Sequence, residues 1–124
     1  MKTRSKKAKG SRLEKFFAGL LVKAELDQYA RRMPGSGAFR GLEGDLLTRL
    51  PIHVECKNQK TWSPLAYYRQ CSLSNPVPAR KTNIVVMGKG GTNQYDPPEA
   101  YVFLKAEDFV NILYYAIKSN WPDG

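Results

Sequence analysis

Cysteine is scarce in this 124-residue chain, which has only Cys56 and Cys71. Their separation matches no metal-ligand spacing, so a thiolate metal centre is excluded and both read as reduced, semi-buried thiols. Long apolar runs are absent as well. No stretch approaches the roughly 20 residues that cross a bilayer, and the basic N-terminus has no apolar signal core. The expectation is a soluble, cytoplasmic protein with no membrane partner, or one in the host cytoplasm if the chain is phage-encoded. Acidic residues are outnumbered, eleven Asp and Glu against twenty Lys and Arg, for a net charge of +9. No internal repeat is present, and no low-complexity tract lies outside the first ten residues.

What is present fits one mixed α/β domain of ordinary apolar content. The charge is uneven. Residues 1–15 carry seven basic groups and one acid, Glu14, and the rest of the chain is close to balanced. Residues 1–10 therefore read as a flexible basic tail and 11–124 as the folded domain. A basic tail suits a polyanion such as nucleic acid. It also suits a merely solubilising arm.

Ser11 followed by Glu14 is a capping-box pattern. Leu13, Phe17, Leu20, Leu21 and Ala24 recur at helical spacing, which predicts an amphipathic helix from Ser11. "RRMPGSGAFRG" has turn chemistry, with a short strand at its start. "GDLLTRLPIHVECKNQ" reads as two strands joined near Leu50-Pro51. Ser63-Pro64 opens a short helix, "NPVPAR" is a linker, and "TNIVVMG" and "AYVFLK" are strands. "AEDFVNILYYAIK" is a last helix, acidic at its start and basic at its end. This order predicts a central mixed sheet flanked by helices. "GKGGT" at 88–92 lacks the spacing of a phosphate-binding loop and reads as a glycine-rich turn between strands.

The chemistry concentrates in "HVECKNQK". Strand alternation puts His53, Glu55 and Lys57 on one face. A hairpin turning around Leu50 places Asp45 opposite Glu55, and two facing carboxylates need a cation between them or a shared proton. A hard divalent ion, Mg²⁺ with Mn²⁺ able to substitute, takes oxygen ligands of this kind, and the Cys56 carbonyl adds one more. Lys57, two residues beyond Glu55, can polarise a water or offset charge on a phosphate. The plainer alternative is a strand ion pair between Glu55 and Lys57, with Asp45 capping a turn. His53 reads as a partly exposed strand residue outside the site. Trp62, Tyr67 and Tyr68 read as half-buried helix aromatics more readily than as base-stacking groups.

Glu14 on a helix, the "PGSG" loop, Asp45 in "EGD", and Glu55 with Lys57 in "VECK" together resemble the PD-(D/E)xK nuclease superfamily. Within it, the chain looks most like the archaeal-type Holliday junction resolvases and their small phage-borne relatives. The resemblance spans roughly residues 11–75, and the first motif departs from Pro-Asp by having Gly44 before Asp45. It implies a restriction-endonuclease-like fold and a Mg²⁺-dependent endonuclease that cuts branched DNA as a homodimer. Asp45, Glu55, the Cys56 carbonyl and Glu14 would hold metal, Lys57 would assist the water, and Ser36 would lie near the scissile phosphate. Glu14 also fits the reciprocal cap of Ser11, and at the rim of the apolar stripe it can serve both roles. Arg12, Arg31, Arg32, Arg40 and Lys60 are candidate DNA contacts. So is Gln70, since related nucleases often place a glutamine on the helix after the lysine strand.

Overall fold

The computed structural model describes residues 2–33, 45–90 and 96–118, with side chains from Arg12 onward. Ser36 and Arg40 lie outside the described residues. The element order is α1 (Lys2–Lys23), β1 (Arg31–Arg32), β2 (Leu46–Leu47), β3 (Ile52–Lys57), α2 (Pro64–Ser74), β4 (Thr82–Gly90), β5 (Pro98–Phe103) and α3 (Ala106–Lys118). A mixed α/β domain is therefore what forms. Its main sheet has the order β3-β4-β5, with β3 and β4 parallel and β4 and β5 antiparallel.

β4 is the centre of the core because it is apolar on both faces. Ile84 and Val86 point into a cluster with Leu13, Ala18 and Leu21 of α1, and with Val54 and Cys56 of β3. Val85 and Met87 point the other way, against Tyr67 and Cys71 of α2. A continuous apolar run is what a strand covered on both faces requires. Each of these four buried side chains contributes about 1.5–3 kcal/mol. β3 obeys the same alternation: Val54 and Cys56 face α1, and the face of His53, Glu55 and Lys57 is turned to α2. Among the described residues, no helix is long and apolar enough to cross a membrane.

Three local expectations are corrected. α1 begins at Lys2, so Ser11 lies inside the helix and Glu14 cannot be the reciprocal cap of an N-terminus there. Its buried stripe includes Ala18, while Leu20 and Ala24 face solvent. α1 ends in a Schellman turn: Leu26 N–H reaches Leu21 C=O, Glu25 N–H reaches Val22 C=O, and Glu25 sits at φ 60°. The expected hairpin does not form a ladder. β2 has two residues and pairs with β1, Arg32 against Leu46 and Arg31 against Leu47. The reason lies in two carboxylates. Asp27 accepts from Thr48 Oγ1 and Arg49 N–H, both at 2.7 Å, and fixes the turn after β2. Asp45 takes the Cys56 N–H that a paired strand would have used. Ser63 does occupy the N-cap of α2 with Pro64 in its first turn, but its side chain makes no cap bond.

Gly88 and Gly90 belong to β4 and not to a turn. At Gly88 the reason is a close approach: a Cβ there would stand 2.9 Å from Leu13 Cδ1 and 3.3 Å from Asn58 Cγ. Leu13 is fully buried and has nowhere to go. Gly88→Ala should therefore lower stability by about 1–3 kcal/mol through overpacking. Combining it with Leu13→Ala should cost less than the two single losses together. Urea denaturation of the four proteins measures this, and strict additivity would show that α1 and β4 do not meet at this point.

Candidate functional site

Asp45 is placed by main chain and side chain at once. Its N–H donates to Val54 C=O at 2.9 Å, and its Oδ2 accepts the Cys56 N–H at 2.7 Å. Its own C=O accepts the Met33 N–H at 2.9 Å. The bonds to Val54 and Cys56 straddle Glu55, as a strand partner centred on that residue would. Asp45 and Glu55 are thus neighbours, as the sequence implied, although no hairpin ladder joins them. A strand residue's C=O points to the same side as its N–H. The Cys56 carbonyl therefore faces the Asp45 edge of β3.

Glu14 reaches the same place from α1. It accepts from Arg32 Nε at 3.2 Å, and its carboxyl is pushed above the ordinary range by burial first and by the Asp45 charge second. Glu55 is pushed up to about 7, again by burial and then by Asp45, against the lowering influence of a Ser74 hydrogen bond and the Lys57 charge. Lys57 lies over the Tyr67 ring, 5.7 Å from its centroid. Glu14, Asp45, Glu55 and Lys57 come from three separate segments of the chain and act on one another within one patch.

The oxygen chemistry of Asp45, Glu55, Glu14 and the Cys56 carbonyl suits a hard divalent cation. Each acid is engaged by a protein donor: Glu14 by Arg32, Asp45 by Cys56 N–H, and Glu55 by Ser74 Oγ at 2.9 Å. Among the described residues, no three His, Cys, Asp or Glu side chains are grouped so as to hold a metal ion. Metal would have to compete with these donors and with a proton on Glu55.

Two residues of this patch escaped the sequence reading. His53 is fully buried, not partly exposed, because the C-terminal half of α2 covers it. Its Nε2 lies 2.9 Å from Ser74 Oγ. Ser74, the last residue of α2, is the group through which that helix touches Glu55. Gln70, the expected contact, is exposed on α2 one turn earlier. No sequence motif signals Ser74; only the seven-residue spacing from the buried Tyr67 puts it on the sheet-facing side. Of the candidate DNA contacts, Arg31 and Lys60 are exposed, Arg12 is half-buried, and Arg32 is bound to Glu14. Trp62, Tyr67 and Tyr68 all belong to the second core cluster. Trp62 Nε1 donates to Gly88 C=O, and the Tyr67 hydroxyl bonds Gln59. Cys56 and Cys71 are free and buried, and burial raises both thiols, Cys71 to about 12, so neither is a reactive thiolate.

The Glu55 shift sets a pH dependence. The folded chain holds the proton on Glu55 more tightly than the unfolded chain, whose value is near 4.5. This group's contribution to stability is therefore fully present below about pH 4.5 and is lost as pH rises through about 7. The loss is at most about 3 kcal/mol, and roughly half that once solvent screening of the part-exposed carboxyl is allowed for. Metal-free protein should melt higher at pH 5.5 than at pH 8, and Glu55→Gln should flatten that difference and melt above the parent at pH 8. Mn²⁺ should raise the melting temperature at pH 8 in the parent only. Calorimetry of both proteins at both pH values checks this, and an identical pH response in the two would refute the assignment.

Compared with known proteins, the chain matches no family model, no curated protein and no solved structure.

Proposed function

We propose that the protein is a metal-dependent DNA endonuclease that hydrolyses phosphodiester bonds, built on a restriction-endonuclease-like fold and acting on branched DNA such as a four-way junction. One observation carries this reading: Glu14, Asp45, Glu55 and Lys57 converge on one patch, with Arg32 bound to Glu14. A chain that merely binds a polyanion gains nothing from adjacent carboxylates that repel phosphate.

Asp45, Glu55 and the Cys56 carbonyl, with Glu14 beside them, would hold Mg²⁺, which supplies charge neutralisation and an activated water when bound. The chain's own groups do the rest. Lys57 offsets charge on the reacting phosphate and orients a water at its ammonium. Arg31 and Lys60 hold the DNA backbone. Arg32 holds Glu14 in place. The protein donors on every carboxylate favour one other reading, a nuclease-like module that binds nucleic acid without cutting it.

Incubation with four-way junction, linear duplex and single-stranded DNA, with Mg²⁺ or chelator, separates the two. Asp45→Asn, Glu55→Gln and Lys57→Ala should each lower cleavage by about 10²-fold or more while DNA affinity holds or rises. Asn can still accept the Cys56 N–H, so the fold survives that change. Full activity in Asp45→Asn or Glu55→Gln would refute the assigned metal ligands, and the absence of metal-dependent cleavage of every substrate would refute the nuclease reading.

Two matched cuts in a two-fold symmetric junction call for two sites, and one site per chain then calls for a C2 dimer. α3 supports this. It has no buried residue, and Phe109, Val110, Ile112, Leu113, Tyr115 and Ile117 are all exposed. Among the described residues it makes at most marginal contact with other elements. A helix of 13 residues is marginal alone in water, so its apolar face needs a partner. Sedimentation at micromolar concentration should give a dimer, and Phe109→Asp with Ile112→Asp should give a monomer near 14.0 kDa. A parent chain that stays monomeric with and without junction DNA would refute the dimer.

A further inference from the structure

The Glu55 carboxyl could occupy several rotamers at the edge of β3; Asp45 repels its ionised form and shares a hydrogen bond with its protonated form, so Asp45 does not hold the carboxylate. Something holds it on the α2 face. The only group of α2 shown bonding it is Ser74, whose Oγ lies 2.9 Å from Glu55 Oε1, 2.9 Å from His53 Nε2 and 3.0 Å from Cys71 C=O. A hydroxyl has one proton and can accept from elsewhere. When Glu55 is ionised, its charge makes it a stronger acceptor for the single Ser74 proton than the neutral Cys71 C=O, and the imidazole then donates from Nε2 into Ser74 Oγ. With Glu55 ionised, the chain of bonds runs from His53 Nε2–H to Ser74 Oγ–H to Glu55 Oε1. His53 sits two residues before Glu55 on the same strand face, is fully buried, and lies 3.9 Å from the same carboxylate oxygen. Buried there with Nε2 2.9 Å from Ser74 Oγ, it is placed to orient the serine.

We propose that Ser74, oriented by His53, is a positioning residue that fixes the rotamer of Glu55 for metal and substrate. The role of Glu55 in it rests on the nuclease reading; the bond itself does not. A donor on the far side of a carboxylate ligand leaves the other oxygen directed outward, and loss of such a partner typically weakens metal binding by about 10–100-fold. The spacing is itself a constraint: Ser74 must end α2 within one hydroxyl's reach of β3. The helix holds that distance through Tyr67 and Cys71, its two buried residues.

The test uses the full chain with Ser74→Ala, Ser74→Thr and His53→Gln. Crystal structures of the parent, Ser74→Ala and Ser74→Thr show where the Glu55 carboxyl lies. Displacement in the alanine variant and retention in the threonine variant are expected, and an unmoved carboxyl in Ser74→Ala would overturn the proposal. In solution, Ser74→Ala should weaken Mn²⁺ binding about tenfold by calorimetry, with the melting temperature nearly unchanged. It should lower kcat on junction DNA with little change in KM, and Ser74→Thr should restore both. His53→Gln keeps an N–H donor and should fall between parent and Ser74→Ala in Mn²⁺ affinity. A parent that binds no Mn²⁺ and cuts no DNA sinks the nuclease reading alone, because the position of the Glu55 carboxyl still decides for or against Ser74.

Discussion

The fold around the site depends on how Asp45 is held. Three bonds meet at this residue: its N–H to Val54, its C=O from Met33 and its carboxylate to the Cys56 N–H. The first and third attach it to the open edge of β3. The second ties it to the segment after β1. The small β1–β2 pair is thereby joined to the main sheet without a continuous ladder. The carboxylate occupies an edge N–H that would otherwise need a partner strand or water. One side chain thus completes the sheet edge and places a negative charge beside Glu55.

That placement is electrostatically costly, and the surrounding residues show how it is offset. Glu14 and Glu55 are both part-buried within reach of the Asp45 charge, and both are pushed toward the protonated form. Arg32 offsets Glu14, Lys57 and Ser74 offset Glu55, and a main-chain N–H offsets Asp45. Buried carboxylates left with such partial compensation destabilise a fold when ionised and mark functional sites more often than structural ones. Asp27 is the contrast. It is also buried, but its carboxylate accepts three hydrogen bonds, chiefly from Thr48, and is held below the ordinary range. It has a purely local task, anchoring the end of α1 to the turn after β2.

The domain's two sides are unequal. α1 and α2 bury the two faces of β4, whereas α3 leaves its apolar face exposed. The exposed Tyr101 and Val102 of β5 extend the same character onto the neighbouring edge strand. The acidic patch, by contrast, gathers where α1, the start of β2 and β3 meet. The acidic patch and the exposed apolar helix thus belong to separate parts of the chain.

Much of this was legible in the sequence because it rests on local rules. The alternation in "IHVECK" set which residues share a face, the apolar run in "TNIVVMG" marked the central strand, and the charge pattern of "AEDFVNILYYAIK" marked the last helix. These depend on periodicity, which a short segment carries by itself. The neighbourhood of Asp45 and Glu55 was also inferable, although the hairpin assumed for it did not form. What only the tertiary structure decided are contacts between segments far apart in the chain. Gly88 is glycine because Leu13, 75 positions away, fills the space its side chain would need. Glu14 answers to Arg32 and not to Ser11 because α1 runs straight through Ser11. Ser74 and His53 belong to the site because α2 lies across that face of β3 at hydrogen-bonding distance. Sequence spacing determines which side of an element a residue occupies; which residue it meets there is set by the packing of whole elements, and no local pattern encodes that.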